Sequence, residues 1–178
     1  MKIPVDEIPQ SPKEIRFPER IEDLNEIYAK CSVRDFRFPT FVEVDLVYYR
    51  SGREIICHGS FAGAFQGCCS RCLKDYAFTL AKDFEFVLSP HPSKSDRRIE
   101  ELSREALGLS YYSTEEIDLT PLITEQVMLA LPTRPLCSGD CRGLCGGCGV
   151  DLNAEACVCS ASVVDPRMAV FRTLKLGR

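Results

Sequence analysis

The spacing of the cysteines constrains this chain more than any other feature. Eleven of its 178 residues are Cys and only two are His. Six of the cysteines lie in the glycine-rich stretch 137–160, namely Cys137, Cys141, Cys145, Cys148, Cys157 and Cys159. A stretch with so few large apolar side chains cannot build a core of its own and requires another source of order. Since clustered thiolates bind soft metal ions, we predict a metal site here.

The N-terminus and the hydropathy pattern indicate the compartment. Residues Met1 to Ile8 contain no apolar run of the length that a secretory signal needs. The best candidate for a membrane span, Val127 to Leu131, ends at Pro132 and is far too short. We therefore expect a cytoplasmic protein with no membrane partner, in which the cysteines stay reduced. The odd cysteine count also disfavours the alternative, a secreted protein closed by disulfides.

Residues 1–133 are predicted to form a β-rich body. Apolar residues at Val42, Val44, Leu46 and Tyr48 alternate with Glu43, Asp45 and Val47, a period of two that is typical of a half-buried strand. Ser51 and Gly52 provide a hairpin turn, after which a second strand runs from about Glu54 to Gly67. A third strand carries apolar residues at even positions: Phe78, Leu80, Phe84, Phe86 and Leu88. The pattern predicts an antiparallel β-meander in an α+β fold.

Two helices are predicted within the body. A short helix fits the spacing of apolar residues between Pro18 and Lys30. A second helix is expected at about 120–131, with Thr120 as N-cap and Pro121 in the first helical position. It is apolar on nearly every side, so we expect it to be buried against the sheet. The intervening segment 89–116 is rich in charge and proline and is expected to be a solvated insertion.

Residues 134–178 are predicted to be a cysteine-rich metal-binding knuckle followed by a C-terminal helix. Cys145, Gly146, Gly147 and Cys148 form a CxxC knuckle, with Gly149 allowing a tight turn around the metal. The metal ligands are four of five candidates: Cys141, Cys145, Cys148, Cys157 and Cys159. Cys141 is the spare one. A four-thiolate set favours Zn²⁺, with an iron–sulfur cluster as the alternative. The terminal helix begins after Asp165 and Pro166.

A second CxxC, Cys69 and Cys72, lies between the second and third predicted strands. It could be a redox pair, although such pairs usually precede a helix. It could instead supply half of a zinc ribbon shared with Cys145 and Cys148, or hold structural thiols in a turn. The pair is therefore a candidate for a second or a shared metal site. The remaining singletons are Cys31 and Cys57, where core packing is expected, and Cys137.

The sequence contains no motif that indicates an enzyme. It has no glycine-rich dinucleotide or phosphate-binding loop and no HExxH zinc-protease motif. His58 and His91 are isolated from each other and from any nucleophile pattern. We therefore predict a binding protein, not an enzyme. The rival hypothesis is an iron–sulfur or thiol redox protein.

Three stretches occur in a characteristic order. They are Cys69-Ser70-Arg71-Cys72-Leu73, then Glu116-Ile117-Asp118-Leu119, and then the run from Asp140 to Asn153 with Cys157, Cys159 and Asp165-Pro166-Arg167. In this order they resemble the bacterial YceD family, which is associated with accumulation of large-subunit ribosomal RNA. The resemblance covers roughly residues 40 to 175. It implies a factor in biogenesis of the large ribosomal subunit, without catalytic activity, whose partner is large-subunit rRNA or a ribosomal protein. Because some family members keep the first CxxC without the C-terminal cysteines, it favours a self-contained C-terminal metal site.

The charge distribution suggests where RNA would bind. Residues 134–178 carry six Lys/Arg against four Asp/Glu, whereas the first 133 residues carry 16 against 22. The tail is thus the relatively basic end of a chain with a net charge of −4. We predict phosphate contacts from cations beside the metal knuckle and on the terminal helix: Arg142, Arg167, Arg172 and Lys175.

Overall fold

The computed structural model of the protein describes residues 1–30, 35–91, 109–113 and 115–159. Within them the chain forms eight strands and two α-helices. The strands are β1 (Lys2–Pro4), β2 (Lys13–Arg20), β3 (Phe36–Arg37), β4 (Phe41–Ser51), β5 (Glu54–Cys68), β6 (Asp75–Pro90), β7 (Leu109–Tyr112) and β8 (Glu116–Asp118). The helices are α1 (Asp23–Ala29) and α2 (Leu119–Ala130). None of the helices in this part of the chain has both the length and the apolar character needed to span a lipid bilayer.

A mixed but mostly antiparallel sheet forms the centre of the fold. Its strands follow the order β2-β4-β5-β6-β7, and β3 pairs with the far end of β5. All of these pairings are antiparallel except the one between β6 and β7. Strands β1 and β8 form a separate antiparallel ribbon. The prediction of an α+β fold with an antiparallel-rich sheet and helices is confirmed.

Strands β4, β5 and β6 form the predicted meander. The turn after β4 contains Gly52 with φ of 63°, a conformation that glycine adopts without strain. Strands β5 and β6 then pair without interruption from Ile55 opposite Leu88 to Cys68 opposite Asp75. This long ladder carries the turn between β5 and β6, with Cys69 and Cys72, to one end of the sheet.

The core lies on one face of the sheet. The alternation predicted for β4 is confirmed, because Val42, Val44, Leu46 and Tyr48 are all buried. Helix α2 covers this face and contacts β1, β2 and β6. It buries three residues at helical spacing, Leu119, Ile123 and Val127. The expectation that α2 is buried against the sheet is confirmed, although Leu129 on the same helix remains 70% exposed.

Helix boundaries differ from the predictions at both helices. Residues Pro18 to Arg20, predicted as helix, belong to β2 and pair with β4. Proline has no backbone N–H to donate, and Pro18 is tolerated in β2 because β2 is an edge strand with a partner on one side only. At α2 the N-cap is Asp118 instead of Thr120, because the Asp118 carboxylate accepts a hydrogen bond of 3.0 Å from the Thr120 amide.

Segment 89–116 is not entirely an insertion, because β7 within it joins the sheet beside the end of β6. Residues 92–108 and 114 lie outside the described residues. The same is true of Cys31 and of the predicted terminal helix, with Arg167, Arg172 and Lys175.

Candidate metal centres

Eight cysteines come together in two groups of four at the end of the sheet. In each group the four Sγ atoms lie within 4.8 Å of one another. We call the first group the inner cluster; it consists of Cys69, Cys72, Cys137 and Cys141. We call the second group the outer cluster; it consists of Cys145, Cys148, Cys157 and Cys159.

The inner cluster joins the sheet to the segment that follows α2. Cys69 and Cys72 come from the β5–β6 turn, and Cys137 and Cys141 come from the tail. The Sγ atoms of Cys69 and Cys141 are 3.8 Å apart, and those of Cys72 and Cys137 are 3.7 Å apart. All but Cys137 are buried. The cluster therefore forms a small second core, against which Tyr76, Leu136 and Leu144 pack.

Backbone hydrogen bonds hold the turn and the tail in register. The Cys69 amide donates to the Lys74 carbonyl at 2.9 Å and closes the turn. The Ser70 amide donates to the Pro135 carbonyl at 2.9 Å, and the Leu144 amide donates to the Arg71 carbonyl at 3.1 Å. The two segments that supply the inner cluster are thus fixed to each other beside the sulfur atoms.

The outer cluster is built around a knuckle at Cys145 and Cys148. The Gly147 amide donates to Cys145 Sγ at 3.4 Å, and the Gly149 amide donates to the Cys145 carbonyl at 2.9 Å. Cys157 lies next to both knuckle cysteines, with its Sγ 3.2 Å from that of Cys145 and 3.6 Å from that of Cys148. The four sulfur atoms of this cluster are close enough together to hold a metal ion.

The two clusters are in contact through side chains between them. Asn153 donates from Nδ2 to Cys141 Sγ at 3.5 Å and accepts from the Arg142 amide at 2.7 Å. Lys74 Nζ lies 2.5 Å from Asp151 Oδ2 across the same boundary. A side chain that hydrogen-bonds to a metal ligand, as Asn153 does to Cys141 Sγ, usually orients that ligand and adjusts its affinity for a metal. Residues 145–159, which we call the outer segment, are therefore docked on the turn that carries half of the inner cluster.

One glycine is required for this docking. Gly143 has φ of 74°, and a Cβ at this position would lie 2.9 Å from the Arg71 carbonyl oxygen. Only a residue without a side chain allows the tail to approach the turn so closely.

The thiols of each cluster differ strongly in acidity. Burial opposes ionisation of Cys69, but the amides of Cys137, Cys72 and Arg71 point at its sulfur and lower its pKa to about 6. The amides of Cys148 and Gly147 similarly lower the pKa of Cys145 to about 6.

In each cluster, neighbouring cysteines raise the pKa of one thiol. The interaction with Cys72 raises the pKa of Cys137 to about 12, and that with Cys148 raises the pKa of Cys159 to about 12. Four thiolates this close repel one another, so a full set of thiolates requires a cation among them.

The sulfur geometry fits one ion in each cluster. Tetrahedral zinc with Zn–S distances of about 2.3 Å requires sulfur atoms about 3.8 Å apart. The Sγ separations of 3.8 and 3.7 Å in the inner cluster match this value, and those of 3.6 and 3.2 Å in the outer cluster are somewhat shorter. A multi-iron cluster places several iron and sulfide atoms between the cysteines and requires a wider arrangement. The donor set and its size therefore fit a single Zn²⁺ better than an iron–sulfur cluster.

The structure brings together the four candidates that spacing favoured and places the spare candidate in the other cluster. Cys145, Cys148, Cys157 and Cys159 lie together, whereas Cys141 lies with Cys69 and Cys72 in the inner cluster. The structure does not place Cys69 and Cys72 with Cys145 and Cys148. Cys137 was not among the predicted ligands. The repeated x3 spacing, Cys137 to Cys141 and Cys141 to Cys145, was the available signal.

The other described cysteines lie outside both clusters. Cys57 is buried in the sheet, where burial raises its pKa to about 12. Cys68 precedes Cys69 but belongs to neither group. Arg142, predicted to contact RNA, is exposed beside the inner cluster.

Comparison with known proteins places the chain in a family. A family model described as "Large ribosomal RNA subunit accumulation protein YceD" matches residues 57–175. Uncharacterized proteins of Mycobacterium bovis and Mycobacterium tuberculosis are each 31% identical over 114 residues, or 64% of this chain and 53% of theirs. The chain thus spans about half the length of the curated relatives it matches. No solved structure matches it. Since the matched range covers about two thirds of the chain and includes both cysteine clusters, the chain belongs to the YceD family.

Proposed function

We propose that the protein acts in the accumulation of large-subunit ribosomal RNA, as a non-catalytic factor that binds precursor rRNA or a ribosomal protein. Family membership suggests the role at the level of the large ribosomal subunit. The observation that carries the proposal is the match over residues 57–175, which contains all eight clustered cysteines.

We also propose that each cluster holds one structural Zn²⁺. Cys69, Cys72, Cys137 and Cys141 would hold one ion, and Cys145, Cys148, Cys157 and Cys159 the other. A bound Zn²⁺ supplies positive charge that keeps the thiols deprotonated and ties their segments together. The protein's own residues do the rest: the turn amides orient the sulfurs, and Asn153 fixes Cys141. Filling both clusters would give the end of the sheet a rigid shape on which a partner can bind.

Depletion tests the cellular role. We expect loss of the protein to lower the amount of large-subunit rRNA and the large-subunit peak in a sucrose gradient, and re-expression to restore both. Unchanged rRNA and unchanged subunit profiles after depletion would contradict the proposed role. Identifying whether RNA or a ribosomal protein co-purifies with the chain would show which kind of partner it binds.

Metal analysis tests the two sites. We expect two zinc ions per chain in the purified protein, one for each cluster. Cys68→Ser is the control for substitutions of the clustered cysteines. Cys68 adjoins Cys69 but lies outside both clusters, so this variant should keep both ions. Anaerobic purification distinguishes the alternative: zinc leaves the protein colourless, whereas an iron–sulfur cluster would make it brown and contradict the zinc assignment.

A further inference from the structure

The β5–β6 turn contains a residue with unusual backbone geometry. Leu73 has φ of 58°, in the left-handed region that favours glycine. The closed turn accounts for this conformation, because the Leu73 amide donates to the Cys69 carbonyl at 2.9 Å. A glycine would adopt the same conformation without strain. The presence of leucine therefore requires a reason other than the shape of the turn.

Packing within the protein does not supply that reason. The Leu73 side chain is 65% exposed. The apolar residues that pack against the inner cluster are Tyr76, Leu136 and Leu144. Leu73 is thus a large apolar side chain held toward solvent in a strained conformation, on a turn fixed by two cysteines. Strain that is retained at an exposed position points to a role in binding.

The turn that carries Leu73 and the tail segments hydrogen-bonded to it contain three arginines, Arg71, Arg134 and Arg142. Arg71 belongs to the turn itself. The hydrogen bond from the Ser70 amide to the Pro135 carbonyl brings Arg134 beside the turn. The hydrogen bond of 2.7 Å from Arg71 Nη1 to the Cys141 carbonyl brings Arg142 there as well. Arg71 lies more than 60 positions before Arg134 and Arg142 in the sequence, so only the fold reveals that the turn and these two residues are neighbours.

The charges of these arginines are available to a partner. Arg71, Arg134 and Arg142 are all exposed, and no carboxylate of the described residues forms an ion pair with them. Lys74 differs, because it is paired with Asp151. The guanidinium of Arg71 already donates a hydrogen bond of 2.7 Å to the Cys141 carbonyl. Arg134 and Arg142 are then the groups best able to contact an anion.

We propose that this surface binds RNA, with Leu73 against an unpaired base and Arg134 and Arg142 on phosphates. Guanidinium groups bind phosphates through paired hydrogen bonds. Apolar side chains insert between bases, and proteins recognise RNA mainly where its bases are unstacked. The inference rests on the proposed function and names the surface that would carry it. An apolar pocket of a ribosomal protein is the competing occupant, and the test below separates the two.

The experiment measures RNA binding by the zinc-loaded full chain. The probes are labelled transcripts that tile the large-subunit rRNA, titrated at several salt concentrations. We expect Leu73→Gly to weaken the best binding about tenfold without changing the salt dependence, because it removes an apolar contact. Arg134→Gln and Arg142→Gln should each reduce the slope of log affinity against log salt by about 0.7 to 0.9.

Two controls make the result specific. Leu129→Ala changes another exposed leucine, located on α2, and should leave RNA affinity unchanged. Leu73→Gly should keep its zinc content and should not lower the melting temperature, since glycine relieves the strain at this position. Loss of RNA affinity in a variant that is at least as stable cannot be attributed to misfolding.

The outcomes separate this inference from the proposed function. If Leu73→Gly binds RNA as tightly as the wild type, the inference is wrong and the role in rRNA accumulation stands. If the wild type binds none of the transcripts although depletion lowers large-subunit rRNA, the inference is also wrong and a protein partner is indicated. If depletion leaves rRNA levels unchanged, the proposed function itself fails.

Discussion

The inner and outer cysteine clusters have the same composition but different relations to the fold. The inner cluster joins residues 65 to 72 positions apart and has three buried members. The outer cluster joins residues 9 to 14 positions apart and has no buried member. A cross-link that closes a long loop removes more entropy from the unfolded chain than one that closes a short loop. We therefore expect the inner cluster to stabilise the whole fold and the outer cluster to order mainly its own segment.

The largest effect should come from opening the inner cluster. Cys137→Ser removes a proposed zinc ligand that is itself exposed, so the substitution leaves the buried core side chains in place. We expect one zinc ion to be lost and the melting temperature to fall by about 10 °C, because the turn and the tail are no longer tied. Metal analysis and thermal unfolding followed by circular dichroism measure both. Loss of one ion with an unchanged melting temperature would remove the distinction between the two clusters.

Opening the outer cluster should have a smaller effect on the body. Cys148→Ser also replaces an exposed ligand and is therefore the matched comparison. We expect loss of the other zinc ion, protease cleavage within residues 145–159, and a fall in melting temperature of about 2–4 °C. The sheet should keep its far-ultraviolet spectrum. A fall as large as that caused by Cys137→Ser would show that the outer segment also stabilises the body.

A smaller effect should follow from disturbing the contact between the clusters. Gly143→Ala places a methyl group 2.9 Å from the Arg71 carbonyl and adopts an unfavourable positive φ. We expect the free energy of unfolding to fall by about 1 kcal/mol while both zinc ions are retained. Proteases should also cleave the outer segment earlier than in the wild type. Gly139→Ala is the control, because no atom lies within 4 Å of its added Cβ and its φ is not positive. Equal effects of the two substitutions would argue that the clusters are independent.

The parts of this structure that could be predicted are those encoded over short distances in sequence. The alternation in β4 predicted its buried face, and Gly52 predicted the hairpin. The outer-cluster residues occur within one short stretch, so spacing alone nominated them. The assignment of Cys141 and Cys137 depends on where the tail after α2 meets the β5–β6 turn, which is a tertiary contact. No local pattern encodes it.

The same limit explains the errors in the body. Strand β7 pairs in parallel with β6, which requires a long connection between the two strands. The charged residues of that connection led to the prediction of a solvated insertion. At Pro18, pairing along the sheet edge outweighed the helical spacing of Ile21, Leu24 and Ile27.

The smallest effect should come from the ion pair that crosses the boundary between the clusters. The hydrogen bond from Lys74 lowers the pKa of Asp151 to about 2, so the carboxylate is charged at neutral pH. A lowered pKa in the folded state means that the pair stabilises the fold at neutral pH and that this contribution is lost as the pH falls from about 4 towards 2. Because the Lys74 side chain is mostly exposed, the contribution at neutral pH should be small and screened by salt.

We expect Lys74→Gln to lower the melting temperature slightly at low salt and not at high salt. Lys82→Gln should have no effect at either, since Lys82 is exposed on β6 and has no ion pair with any residue that the structure describes. If Lys74→Gln instead releases the outer segment to proteases as readily as Gly143→Ala, the ion pair is a principal contact between the clusters. Backbone approach at Gly143 would then be only part of what holds the outer cluster in place.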